Sequence, residues 1–471
     1  MSAPNGLAKA KLEKLRFAFG QIRKQAESAL TELAGLSELL DPKCLRWRCD
    51  GCGFEKLPPR KILRFTILTA WLGCAAGFGV AHGAWGQATE DRLRFFEERV
   101  KKDDADFIAW NGLADLCLLR QRETGNDEWL VRAEQAAAAS LKAARVEFNP
   151  AGLALRVRIN LALHRFAAAR DGARQLREIE PGRSSPLAGL GDALLELGDL
   201  DEAAKVIDDL AGLEGESVTA QSRLARLALL RGRHKEARSY FAKALLATPA
   251  SQPLTVAWCH VQLGELAFRR GDWEGAEKSY QAALQAFPDW WSAREHVAEL
   301  RGAQGRVEEA LALYTEVVAQ APRPDLLQAA GDLLLFVRRP DEARAWHDRA
   351  RAAYFRAAES HPELPAHHLA GFFSDSQEDA TEAVKWARRD LELRHSGYAW
   401  DALAWGLNKQ GDIPASLEAS QKALATGLAD AHVLYHAAMI HISAGEIAPG
   451  QALLRRCAEV NPRFNTFHAH R

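Results

Sequence analysis

The chain is long, 471 residues, and electrically balanced, with 61 Lys and Arg against 62 Asp and Glu. That balance argues against a global electrostatic attraction to nucleic acid, which needs clustered excess base. Its length suits one long array or two regions better than one small domain. A hydrophobic share of 48%, rich in Ala and Leu with abundant Arg and Glu, favours helix over sheet.

The seven cysteines are odd in number and scattered, which is not a disulfide framework. Cys117, Cys259 and Cys457 fall within helical patterns and read as small core residues.

Residues 1–42 form the first region. Within it Leu12, Leu15, Phe19, Ile22 and Ala26 recur at three- and four-residue spacing, which predicts a helix. Lys11, Lys14, Arg23 and Lys24 fill much of the remainder, so the helix is expected on a surface or in self-association.

Residues 43–61 hold a cysteine knuckle and a basic flank. Cys49 and Cys52 are two residues apart and Gly53 follows, a turn that points two thiolates at one metal. Cys44 supplies a third sulfur nearby. Tetrahedral zinc takes four ligands, and only Cys44, Cys49 and Cys52 are local, so a zinc site here needs a further donor, which a dimer would supply. A loop with free thiols is the other reading.

Residues 62–88 form the third region. The stretch 65–89 carries no Asp, Glu, Lys or Arg and is long enough to cross a bilayer as a helix, which takes ~20 residues. Lys56, Arg60, Lys61 and Arg64 precede it and Glu90 and Asp91 follow. The positive-inside rule then keeps the N-terminus in the cytoplasm and sends the rest into the periplasm. A secretory signal ending near Gly86-Gln87-Ala88 is a second reading, and a buried hydrophobic helix a third. The uncleaved anchor is the expectation carried forward.

Residues 89–463 are governed by an internal period. Gly264 lies in a first helix, Gly271 breaks it, Ala276, Tyr280 and Ala283 mark a second helix, and Pro288 ends the unit. Adding about 34 residues turns Gly271 into Gly305, Ala276 into Ala310, Tyr280 into Tyr314 and Pro288 into Pro322, with Ala298 in place of Gly264. The same step links Gly198, Ala203 and Ile207 to Gly232, Ala237 and Phe241, and links Gly411 to Gly445. Trp110 with Leu113 and Ala114, and Trp400 with Leu403 and Ala404, repeat a bulky-then-small pattern. Insertions fall near 120–129, 250–256 and 351–364. Residues 464–471 are left as a C-terminal tail.

This pattern resembles the tetratricopeptide repeat (TPR) family, whose unit is a helix-turn-helix. The resemblance implies an all-α fold, a right-handed superhelical solenoid of about ten units spanning roughly 107–463. Ala387–Arg394, Tyr398–Trp405, Leu434–Met439 and Asn461–Phe464 also look like bacterial repeat proteins linked to export or the envelope. In such solenoids the first helices line a concave groove. Counting from the repeat alanines places Trp258, Glu265, Phe268, Arg269, Glu295, Glu299, Phe336, Tyr398, Asp401, Trp405, His432 and Tyr435 there, with Gln328 and Asp332 between them. Aromatic rings beside carboxylates suit peptide binding, although such rings also cap neighbouring repeats. Some members of the family clamp a C-terminal carboxylate with Lys and Asn; Ser222, Arg226, Glu295 and Glu299 occupy those places here, so that clamp is not expected.

The sequence contains no Gly-rich phosphate loop, Gly-x-Ser-x-Gly elbow or His-Glu-x-x-His. The expectation is a non-enzymatic, membrane-tethered scaffold that binds proteins or peptides in its groove and meets the membrane through 62–88. No nucleic acid and no small-molecule substrate is expected, and no cofactor beyond zinc at the knuckle. A cytoplasmic adaptor with a metal-binding knuckle is the alternative.

Overall fold

The structure is a computed structural model that describes residues 88–467, and among these residues every regular element is helical. The N-terminal helix, the Cys44, Cys49 and Cys52 knuckle, and residues 62–87 of the expected anchor lie outside the described residues. Among the described residues no helix is long and apolar enough to cross a membrane.

Helix α1 covers 88–102. Ten antiparallel hairpins follow. The first five are α2 (Phe107–Thr124) with α3 (Glu128–Ala143), α4 (Pro150–Ala162) with α5 (Phe166–Ile179), α6 (Ser184–Leu197) with α7 (Leu200–Glu214), α8 (Val218–Leu230) with α9 (His234–Ala247), and α10 (Pro253–Phe268) with α11 (Trp273–Ala286). The next three are α12 (Trp291–Ala303) with α13 (Val307–Gln320), α14 (Pro324–Phe336) with α15 (Pro340–Ser360), and α16 (Ala366–Gly371) with α17 (Ala380–Leu393). A π-helical turn, Phe372–Ser376, extends α16. The last two are α18 (Gly397–Gln410) with α19 (Ile413–Ala425) and α20 (Ala431–Ser443) with α21 (Ile447–Val460).

The expected insertions are absorbed largely by longer helices. Helix α2 has 18 residues, α10 has 16 and α15 has 21, where α8, α12 and α14 have 13 each. Asp106, Ser217, Asp272, Ser396 and Asp412 cap helix N-termini by accepting a backbone N–H three residues on. Pro288, Pro322 and Pro462 each lie one residue past a helix C-cap.

Three of the hairpins share a closing contact between residues sixteen apart. A Cβ on Gly264 would lie 2.3 Å from Tyr280 Cε1, and one on Gly331 would lie 2.3 Å from His347 Cδ2. Gly191 meets Ile207 in the same register. A small residue on the first helix therefore admits a bulky one from the second. Ala203, Ala237, Ala276 and Ala310, which recur with the repeat, are all fully buried, as are Tyr280, Tyr314 and Phe241. Cys117, Cys259 and Cys457 are buried core residues.

The array winds back onto itself. His234 reaches the carbonyl of Ala429, Arg165 approaches His361, and Arg394 pairs with Glu196, at sequence separations of 195, 196 and 198 residues. In each case the tight turn inside an early hairpin meets the connection before a later one. The His395 N–H donates to the Leu197 carbonyl at 3.2 Å. Gly198 and Gly232, with φ of 87° and 69°, make this approach possible: an added Cβ would lie 2.7 Å from the His395 and Gly427 carbonyl oxygens respectively. Gly198 and Gly232 thus serve two ends, the left-handed turn and the contact between successive turns of the superhelix.

Both termini of the described chain are packed. Phe96 of α1 covers Gly112. At the other end, part of the expected tail is ordered against the array: Phe467 is 4% exposed and stacks near Gly302 and Phe336.

Candidate functional site: the interior groove

Because the array coils back, its first helices face an enclosed interior. A cavity of about 730 Å³ opens there, lined by Arg122, His164, Asp192, Glu196, Ser222, Arg226, Trp258, His367 and Arg394 among others. It continues into a space of about 270 Å³ that adds Gln262, Glu265, Arg269, Tyr398 and Asp430.

Cations outnumber carboxylates in the larger cavity: Arg122, Arg223, Arg226 and Arg394 face Asp192 and Glu196. Arg223 donates to Asp192 at 2.5 Å and Arg226 pairs with Glu196. Arg226 still leaves 52% of its side chain exposed to the interior. Arg394 is a structural hub, held by Asp390 at 2.9 Å and Glu196 at 3.3 Å, with its guanidinium 4.9 Å from the Phe166 ring centre. Burial, reinforced by Arg394, holds His164 well below the usual histidine range, so its ring is neutral near pH 7. Burial lowers His368 as well.

At the other end Arg269 donates to Tyr398 Oη at 3.0 Å and to Asp430 at 3.3 Å, and Tyr398 donates to Asp430 at 3.4 Å. Burial and the Asp430 charge raise the Tyr398 phenol above its ordinary value. A smaller pocket beside this triad is lined by Asp401, Trp405, His432 and His436. The Trp405 ring stacks on His436 at 4.2 Å, and its Nε1 donates to Asp375 at 2.9 Å. His436 Nδ1 lies 2.9 Å from Asp401, a carboxyl that burial raises above its ordinary range.

The structure therefore brings Trp258, Glu265, Arg269 and Tyr398 to one surface, and Asp401, Trp405 and His432 to the adjoining pocket. Phe268 is buried at 9% exposure beside them. Glu295 and Glu299 are also buried, at 2% and 1%, and do not present to a groove surface. Gln328 and Asp332 are tied into a buried network: the Tyr354 phenol donates to Gln328 at 2.7 Å and Ser376 to Asp332 at 2.6 Å. Phe336 and Tyr435 line neither cavity; they pack near Phe467 and Phe464.

Sequence reasoning missed Arg122, His164, Glu196 and Arg394. Glu196 stands five residues after Gly191, as Arg269 stands five after Gly264, so the repeat register could have found it. Arg394 lies in a connection and enters the cavity only through the return of the superhelix, a placement with no local signal.

Family profiles agree with the helical repeats. Tetratricopeptide repeat family profiles match residues 184–208, 216–289 and 261–324. Cellulose synthase operon protein C of Pseudomonas fluorescens (strain SBW25) is 29% identical over 165 residues, 35% of this chain. That match spans only 10% of the relative's length. Similar solved structures include the Cut9–Hcn1 hetero-tetramer of the APC/C, 15% identical with a TM-score of 0.45, covering 81% of this chain and 67% of that one. Human IFIT1 bound to PPP-AAAA is 12% identical with a TM-score of 0.43, covering 78% and 86%. YrrB, a TPR protein with an unusual peptide-binding site, is 20% identical with a TM-score of 0.27, covering 38% and 90%. The chain carries tetratricopeptide repeats, matched across residues 184–208 and 216–324.

Proposed function

We propose that this protein is a non-enzymatic scaffold whose interior groove receives an extended, acidic segment of a partner protein. The observation that carries the reading is the cation-rich cavity around Arg226 and Trp258, open enough for a peptide and bounded by helices fixed at both edges. Guanidinium groups pair well with carboxylates, and an indole beside them supplies contact area at small entropic cost. Tetratricopeptide arrays are protein-interaction folds, which supports the scaffold role.

The finer proposal is that residues 62–88 tether the protein to a membrane and the array works in the periplasm. The basic flank before the apolar stretch supports it, and so does the partial likeness to a cellulose synthase operon protein. A cytoplasmic adaptor using Cys44, Cys49 and Cys52 is the second reading, favoured by the Cys-x-x-Cys-Gly pattern.

A photo-crosslinking residue at Ser222, which lines the cavity, tests the first proposal in living cells. A discrete protein adduct at Ser222, absent from the same probe at exposed Leu213, is the expected result. Identical adducts at both positions, or none at Ser222, would contradict it. An alkaline phosphatase fusion after Asp104 is active if the array is exported and inactive if it is cytoplasmic.

A further inference from the structure

The first five hairpins are each tied to a later part of the array, through side-chain contacts at sequence separations of 189 to 198 residues. These ties run along the wall of the interior cavity. We propose that the cavity is a tunnel that admits a free end of the partner's chain and excludes an acidic loop held between two folded domains. This rests on the reading of the groove as the site of an acidic segment, and adds how that segment enters.

The continuity of the wall is the first argument. At the α2–α3 turn, Trp290 Nε1 and Trp291 Nε1 donate to the Arg122 carbonyl at 3.2 and 3.3 Å, and Arg323 stands 3.4 Å from Asp127. At the α4–α5 turn, Arg165 lies 3.4 Å from His361 and 3.8 Å from Glu363. At the α6–α7 turn, the His395 N–H donates to the Leu197 carbonyl at 3.2 Å. At the start of α9, His234 Nε2 is 2.8 Å from the Ala429 carbonyl. Beside the α10–α11 turn, Arg463 pairs with Glu274 at 3.2 Å and lies 4.8 Å from the Trp273 ring centre.

Two of these ties are made by backbone. An added Cβ on Gly198 or Gly232 would lie 2.7 Å from the carbonyl oxygen of His395 or Gly427. Backbone does not swing aside as a side chain does. Neighbouring helices pack about 8–10 Å apart, so ties placed one per hairpin recur every ~16–20 Å. An extended segment of about seven residues, at about 3.3 Å per residue, is longer than that interval. Laid sideways into the cavity, it would have to break at least one tie.

Charge is the second argument, and it concerns entry through the ends of the superhelix. An internal loop enters as two strands side by side, about 4.8 Å apart when paired. In an acidic loop this sets carboxylates against carboxylates, and like charges directly opposite are unfavourable. A single end brings one row of carboxylates into the cation-rich space. Arg122 lines that space and makes no ion pair among the described residues.

The test titrates an acidic Glu-Ser peptide calorimetrically into the full chain. The peptide is used free, joined to a folded carrier protein by its N-terminus or by its C-terminus, and joined at both ends to carriers through long flexible linkers. Arg226→Glu is run alongside, and binding that this variant loses is counted as binding in the cavity. The free peptide and at least one singly joined form are expected to bind with similar affinity, and the doubly joined form to show no saturable binding. Saturable cavity binding of the doubly joined form overturns the tunnel and leaves the acidic-groove reading standing. Binding of the free peptide that is lost in both singly joined forms does the same. No cavity binding by any form overturns both.

Discussion

Replacing Gly264 with alanine reverses the usual sign of a Gly→Ala change in a helix. Alanine is favoured over glycine by roughly 1 kcal/mol at an unconstrained helical position. Here the new methyl group would sit 2.3 Å from Tyr280 Cε1 and 2.5 Å from Cδ1. Tyr280 cannot swing away, because it is fully buried and stacked on His296. The α10–α11 hairpin must open instead, and overpacking of this kind costs about 1–3 kcal/mol, so the clash outweighs the helical gain. Gly264→Ala is expected to lose ~1 kcal/mol, the middle of the range of about 0–2 kcal/mol these two terms leave. Gly212 is the control: it lies in α7 with nothing within 4 Å of an added Cβ, and Gly212→Ala should gain up to ~1 kcal/mol. Urea unfolding followed by tryptophan fluorescence reads both, and amide exchange across α10 and α11 localises the loss. Shortening the ring with Tyr280→Leu should recover part of the Gly264→Ala penalty, a coupling expected between contacting residues. A Gly264→Ala protein as stable as wild type would refute the account of how this hairpin closes.

Arg394→Ala removes the cation that joins α17 to α6, leaving the buried Asp390 with His367 as its remaining side-chain partner. A loss of ~3 kcal/mol is expected, with faster amide exchange near both Leu197 and His395 and a larger radius in small-angle scattering; unchanged exchange at Leu197 would count against the turn-to-turn contact. Asp332→Ala takes the acceptor from His347 and Ser376 and should cost at least ~2 kcal/mol, seen as a lower urea midpoint. Stability should also fall in mild acid. Burial lowers His164, His234, His260 and His368 in the folded chain from the ordinary value of 6.5. The unfolded chain therefore binds more protons below that pH, so stability rises with pH through this window and is lost as pH falls from about 6.5. A urea midpoint flat between pH 7 and pH 5 would contradict it.

Much of the fold was legible because the period is local. Gly264 and Tyr280 lie sixteen residues apart and repeat at Ala298 and Tyr314, so sequence alone paired the helices and counted the units. The insertions were visible as breaks in register, and the one near 351–364 as a long helical stretch, but those near 120–129 and 250–256 not as longer helices, because a helix that runs on by a turn leaves no punctuation. The return of the superhelix was not legible. It depends on many small rotations between units, and its contacts join residues such as Asp127 and Arg323 across 196 positions. Glu295 and Glu299, placed on a groove by counting, are buried, and Phe467 packs against Gly302 and Phe336 where a tail was expected. Trp258, Glu265 and Arg269 were found because the groove stripe on α10 follows the same helical register as its buried face.

The most direct measurement of the central claim is binding of fluorescent peptide panels that differ only in charge, by polarisation, to the wild-type chain and to Arg226→Glu. Arg226 is half exposed to the cavity and can be changed without emptying the core. The account predicts that acidic peptides bind wild type in preference to neutral and basic ones, weaken as salt is raised, and lose that preference in Arg226→Glu. Equal binding across the panel, or an acidic preference that survives Arg226→Glu, would contradict it.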